Sequence, residues 1–254
     1  MADLAATFAS IGVAQMLAIW LTLIAASLLR AFTGFGFALA AVPVLSLFVL
    51  PTEAVVLACA LTLFANLSSL HSYRNDYPLR GVLPLAAMSV CGTAFGVTLL
   101  SGFSVAEFQL WIGIGVLAAC VLLTLYHPRP RRPGAAETAV VGLLSGVMNG
   151  VFAIPGPPVI IYAMATEPEP HRSRALLMWF FMLSAVIALV TFAVAGYVTQ
   201  RALWLFLLAT PAMLIGDKVG ITLFRRHGGA IYRRLALVLL YLIGISITAK
   251  ALLG

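Results

Sequence analysis

Apolar residues in this chain run in stretches of about membrane-crossing length, separated by short polar gaps. The runs fall at about 11–30, 33–50, 54–70, 81–100, 108–126, 138–165, 175–197, 202–224 and 235–252. About 20 apolar residues in a helix span the hydrocarbon core of a bilayer, so the pattern predicts an all-α polytopic membrane protein. The gaps are PTE at 51–53, HSYRNDYPLR at 71–80, SGFSVAE at 101–107, HPRPRRPGAAE at 127–137, TEPEPHRSR at 166–174, YVTQR at 197–201 and RRHGGAIYRR at 225–234. The 127–137 gap, rich in Pro and Arg, is the linker-like one, and it divides the chain into an N-terminal repeat, 1–126, and a C-terminal repeat, 138–254.

Composition narrows the environment further. The chain is 63% hydrophobic and 9% charged, against about 25% charged in a soluble domain, which excludes a water-facing body of this size. The net charge of +7 comes from basic residues scattered over the gaps rather than a stripe that follows phosphates, so nucleic acid is not an expected partner. Cys59, Cys91 and Cys120 all lie inside apolar runs with no metal-ligand spacing and no disulfide framework. The first 15 residues hold no basic residue and no clear cleavage pattern, so the first run is expected to be retained.

Positive charge gives orientation, because cytoplasmic loops keep Lys and Arg. Eleven of the 15 basic residues lie in four gaps: Arg74 and Arg80; Arg129, Arg131 and Arg132; Arg172 and Arg174; Arg225, Arg226, Arg233 and Arg234. One crossing per run cannot put all four gaps on one side. The conflict disappears if 138–165 enters and leaves on the same side as two helical pieces broken near 149–158, where Pro155, Pro157 and Pro158 oppose helix continuation. The run pair 11–50 then crosses and returns, or forms a re-entrant hairpin. Both termini lie outside, and the Arg-rich loops are cytoplasmic. The halves become inverted repeats, each with a broken or re-entrant segment plus three membrane-spanning helices. Matched interrupted segments point to a transporter's central site.

The candidate site follows from those breaks. Helix ends freed at membrane depth need a cavity, water, protein or ligand as partner, and helix N-termini suit an anion. The first break contributes Thr33, Gly34 and Gly36, the second Asn149, Gly150, Gly156 and Pro157. Arg30 either binds an anion directly or snorkels to mark a helix end. Asn66 and Tyr162 complete the binding candidates, Trp179 lining the same cavity or marking packing. Glu53, His71, Asp217 and Lys218 are candidates for proton coupling, although Asp217 and Lys218 are adjacent on a helix and need partners on other helices. Gly92 and Gly96, echoed by Gly216 and Gly220, read as close helix packing. No nucleophile–base pair, metal-ligand cluster or phosphate loop is present in the sequence, which leaves no enzyme, no metal and no cofactor to expect.

The TGFGFALAAVP segment at 33–43 and GLLSGVMNGVFAIPGPPVIIY at 142–162 resemble the sulfite exporter TauE/SafE family of bacterial membrane proteins. The resemblance implies an inner-membrane permease for a small sulfur-containing anion such as sulfite, sulfoacetate or another organosulfonate, working as an exporter. The residues themselves leave open a proton-coupled permease for a different small organic anion, or a non-transporting membrane scaffold. A small anion and the lipid bilayer are the expected partners, and a homo-oligomer stays open.

Overall fold

The computed structural model describes residues 12–33, 36–125, 131–227 and 229–253, with side chains for all of these except 32, 33, 224–227 and 229–236. Among them the regular structure is helical, joined by short turns. In order come α1 (Val13–Thr33), α2 (Phe37–Leu45), α3 (Pro51–Ser68), the single turn α4 (Leu70–Tyr73), a 3-10 turn at Leu79–Gly81, α5 (Leu83–Gly102), α6 (Val105–Leu125), α7 (Ala135–Phe152), α8 (Gly156–Thr166), α9 (Pro170–Val194), α10 (Gln200–His227) and α11 (Gly229–Leu253). Seven of these are long and apolar enough to cross a membrane, namely α1, α3, α5, α6, α7, α9 and α10, and Leu237–Leu253 of α11 is a shorter apolar stretch.

Helix starts follow local chemistry. Proline opens α3, α5, α8 and α9 within their first two positions, where its missing N–H is one the helix leaves unbonded anyway. For that reason α9 begins at Pro170, and the Arg-bearing stretch that reads as a gap at 166–174 is half helix. The 225–234 gap is likewise mostly helical, with α10 running to His227 and α11 resuming at Gly229. Arg side chains are strong helix formers, so polarity alone overstates the loop.

The two short helices fold back. At about 1.5 Å per residue, α1 is about 31 Å long but α2 only about 14 Å, and α7 is about 27 Å but α8 about 17 Å. The Gln15 side-chain amide near the start of α1 donates to the Phe48 carbonyl just beyond α2. At the second pair, the Tyr162 hydroxyl lies 3.1 Å from Thr138 Oγ1, and the Arg131 N–H donates to the Ala165 carbonyl at 2.8 Å. Each long helix and its short successor therefore begin and end at the same level. These contacts bring the start of α7 and the end of α8 together, with the turn at 153–155.

Contacts between the gaps separate the two ends of the bundle. At one end, the Trp179 indole N–H donates to the Tyr77 carbonyl, Tyr73 packs edge-on against Trp179, and the Arg172 guanidinium lies 5.6 Å above the Tyr77 ring. At the other, Arg201 at the start of α10 pairs with Glu53 at the start of α3 (3.4 Å), and the Gln109 amide of α6 donates to Ser46 O beyond α2. Packing across the linker is reciprocal: α7 lies along α5 and α1 along α10, while α3 meets α9 and α6 meets α11. The main core holds α1, α2, α3 and α6 together with residues of α9 and α10.

Candidate functional site

A cavity of about 50 Å³ lies between the two helix breaks. That is room for a few waters, or one small anion, since about 10–15 Å³ of such space holds a single water. Its lining is drawn from both halves: Arg30, Gly36, Phe37, Ala38 and Leu39 around the first break, Thr62 and Asn66 of α3, and Ala153, Ile154, Pro155, Gly156, Ile160 and Phe181 around the second.

The breaks are made differently. Gly36 caps α2 with φ 100, a left-handed value at which a Cβ is strained. At the second, Ala153 ends α7 at φ 57, ψ 27. Its N–H bonds to Asn149 O (2.8 Å), and Ile154 N–H reaches Met148 O (3.4 Å). This is the left-handed helix stop that normally selects glycine.

The two short helices also offer different numbers of donors. No side chain caps α2, so the first-turn N–H groups of Phe37, Ala38 and Leu39 have no partner within the helix. In α8 the second and third positions are Pro157 and Pro158, which carry no N–H. Gly156 alone brings an N–H to the cavity from the first three positions of α8. Donor density is therefore concentrated on α2.

Arg30 supplies the charge. Its Nη2 donates to Asp217 Oδ2 at 2.6 Å, with side-chain exposures of 15% and 14%. This pair joins α1 to α10. Beside it, Asn66 is buried and its side-chain N–H donates to Thr62 O one turn back (2.9 Å), while its backbone carbonyl accepts the Tyr73 hydroxyl (3.1 Å). Burial pushes Tyr73 up to about 12 against the opposing pull of Arg30's charge, so the phenol stays a donor at neutral pH.

Of the sequence candidates, Arg30, Gly36, Asn66 and Gly156 come together at this cavity. Thr33, as a side chain, and Gly34 lie outside the described residues. Gly150 is in the α5–α7 contact, where a Cβ would lie 2.3 Å from Thr93 O. Asn149 donates to Ser184 O at 2.8 Å and so ties α7 to α9. Tyr162 bonds Thr138, and Pro157 is buried and is not part of the cavity lining. Glu53 is about 20 Å along α3 from Asn66, paired with Arg201. His71 is exposed on α4, and Lys218 is exposed on α10, facing away from its neighbour's partner. Gly92, Gly96, Gly216 and Gly220 all lie in tight helix contacts.

A family model described as "Sulfite exporter TauE/SafE" matches residues 19–247. The chain belongs to this family. Members of the TauE/SafE family are transporters and not enzymes, and the chain is a multi-pass membrane protein. A relative from Cupriavidus necator, described as a "Probable sulfite/organosulfonate exporter TauE", is 24% identical over 173 residues, covering 68% of this chain and 66% of its own length. No solved structure matches the chain. Among the described residues no group of three or more His, Cys, Asp or Glu could hold a metal ion.

Several lining residues carry no sequence signal of a TauE/SafE site. Thr62 was findable, being one turn before Asn66 on the same face. Ala153 was not, because alanine is the strongest helix former and nothing in its identity announces a left-handed residue. Ile154, Ile160 and Phe181 read as ordinary core.

Proposed function

We propose that the protein is a secondary transporter that exports a small sulfur-containing oxyanion, sulfite, sulfoacetate or another organosulfonate, by alternating access around the cavity between the two helix breaks. The carrying observation is the lining itself: two helix N-termini, the Arg30 guanidinium and the polar side chains of Thr62 and Asn66 in one small space. Backbone N–H groups and a guanidinium are the donor set for an oxyanion, and the family relative's description names such anions.

The residues assigned to the anion are Arg30, the N–H groups that follow Gly36, the Gly156 N–H and the Asn66 amide, with Thr33 and Gly34 as the remaining backbone of the first break. Asn149, Gly150, Pro157 and Tyr162 set the position of the second break. The two halves, 1–126 and 138–254, are read as inverted repeats joined by a cytoplasmic linker at 127–137. The reciprocal packing of α1 on α10 and α7 on α5 supports that reading. With the Arg-rich end in the cytoplasm of the inner membrane, as the positive charge favours, both termini are outside. An inside-negative potential then favours outward movement by about 2.3 kcal/mol per net negative charge per 100 mV.

Counterflow of labelled sulfite, sulfoacetate and sulfate in proteoliposomes tests the function. Saturable exchange of at least one, lost in Arg30→Gln, is expected; no exchange of any anion refutes it. Tags at 101–107 and 225–234 should report opposite sides of the membrane, and same-side labelling would remove the inverted arrangement.

A further inference from the structure

Arg30 is the positive charge that lines the cavity, and in this structure a carboxylate of the protein already holds it. Resting on the reading of the cavity as an anion site, we propose that Asp217 is the internal counter-anion that competes with substrate for Arg30 and takes up a proton when the anion binds. Anion and proton are thus carried together.

The geometry of the pair carries the argument. Among the described residues, one nitrogen and one oxygen are engaged, Arg30 Nη2 and Asp217 Oδ2 at 2.6 Å. Arg30 Nε and Asp217 Oδ1 are buried without a hydrogen-bond partner. The guanidinium therefore keeps donors for a second anion, and the carboxylate keeps an oxygen on which a proton can reside. A pair built purely to join two helices would be expected to satisfy these atoms, because buried unpartnered polar atoms cost stability.

Charge then decides the coupling. An oxyanion on Arg30 and an ionised Asp217 would place two negative groups around one guanidinium at low exposure, which favours protonation of the weaker acid. Among the described residues, the surrounding charges do not relieve this. On α1 the charged group is Arg30 itself. On α3 it is Glu53, engaged by Arg201 at the other end of the helix. On α9, Arg174 is exposed and makes no ion pair with Asp217 among the described residues. Lys218, next in sequence, is exposed. Tyr73 feels Arg30's charge and stays protonated at neutral pH. By linkage, an anion that raises the proton affinity of Asp217 is itself bound more tightly when Asp217 is protonated. A dianion that leaves with one proton still carries net negative charge, so the membrane potential continues to favour export.

The experiment is calorimetric titration of the full-length purified protein with sulfate and with methanesulfonate, which stay ionised throughout, at ~pH 5 and ~pH 8. Repeating it in buffers of different ionisation enthalpy counts protons taken up. The wild type should bind at least one probe at least about tenfold more tightly at the lower pH, with close to one proton taken up per anion at the higher. Asp217→Asn should bind equally well at both pH values, with no uptake, and Asp217→Glu should keep the uptake. Anion binding with no proton uptake in the wild type overturns the proposal and leaves the anion site standing, as does uptake that persists in Asp217→Asn. Failure of both probes to bind at either pH overturns the anion site and this proposal with it. Should Asp217→Asn fail to fold, the proton count in the wild type and in Asp217→Glu decides.

Discussion

At the crossing of α5 and α7, Gly92 and Gly96 meet Leu143, Gly146, Val147 and Gly150; at the crossing of α10 and α1, Gly216 and Gly220 meet Ile24, Ser27, Leu28 and Ala31. The spacing along each helix is the same, so the two contacts share one register. Within it, Thr93 follows Gly92 as Asp217 follows Gly216, and Asn149 precedes Gly150 as Arg30 precedes Ala31. The first crossing is neutral and packed backbone on backbone. The second carries an ion pair at the corresponding positions, and α10 also contains Pro211. A proline inside a helix removes one hydrogen bond and favours a kink. One contact is packed backbone on backbone, while the other carries the ion pair of the cavity-lining Arg30 and a helix with an internal proline.

The neutral crossing should be the less tolerant of added bulk. A Cβ at Gly146 would lie 2.4 Å from Ser89 O and 2.8 Å from Ser89 Cα, and backbone cannot step aside. Gly146→Val is expected to cost about 3 kcal/mol or more, seen as loss of the monodisperse species in detergent and of the thermal transition. An unchanged melting temperature would show that α5 and α7 are less closely packed than this.

At the charged crossing the largest effect comes from breaking the pair. Arg30→Gln leaves Asp217 unpartnered at low exposure and should cost about 2 kcal/mol, below the usual buried-pair figure because some solvent reaches both groups. Installing the neutral crossing's residues, Arg30→Asn with Asp217→Thr, should recover most of that stability and still bind no anion. Recovery of binding in the double variant would sink the role of Arg30 while keeping the fold reading. Single methyl groups grade the two contacts more finely. Gly96→Ala, facing Val147 O at 2.4 Å, should cost about 2 kcal/mol, and Gly220→Ala, facing the Ala31 side chain at 2.6 Å, about 1 kcal/mol. Equal shifts in thermal stability would remove the distinction.

Much of this architecture was legible because membrane helices obey few rules. Run length predicted the crossings, and Pro155, Pro157 and Pro158 marked the break between α7 and α8, whose outer ends the Thr138–Tyr162 and Arg131–Ala165 contacts bring together. The glycine pairs were readable as packing. Arg30, Gly36, Asn66 and Gly156 were legible because charge, amide and glycine are rare or conspicuous in apolar helices. The partner of Arg30 was not, since 187 residues separate it from Asp217 and no local pattern joins them. Nor was the left-handed turn at Ala153, where hydrogen bonds from residues 153 and 154 to the end of α7 hold a conformation that alanine alone disfavours.

That turn supplies the smallest test of the difference between the halves. Glycine at the first break adopts φ 100 freely, whereas Ala153 holds φ 57 with a Cβ in the cavity wall. The left-handed conformation costs an L-residue about 1–2 kcal/mol, and exchanging it for glycine restores unfolded-chain freedom worth about 0.5–1 kcal/mol. The first term is the larger, so Ala153→Gly should stabilise the protein by about 0.5 kcal/mol, seen as a small rise in melting temperature. Removing one methyl group also enlarges the cavity on the side poorest in donors. If the Ala153 methyl shapes the site, anion affinity should fall while stability rises. A fall in both would show that Ala153 supports the helix end through packing that outweighs its backbone strain.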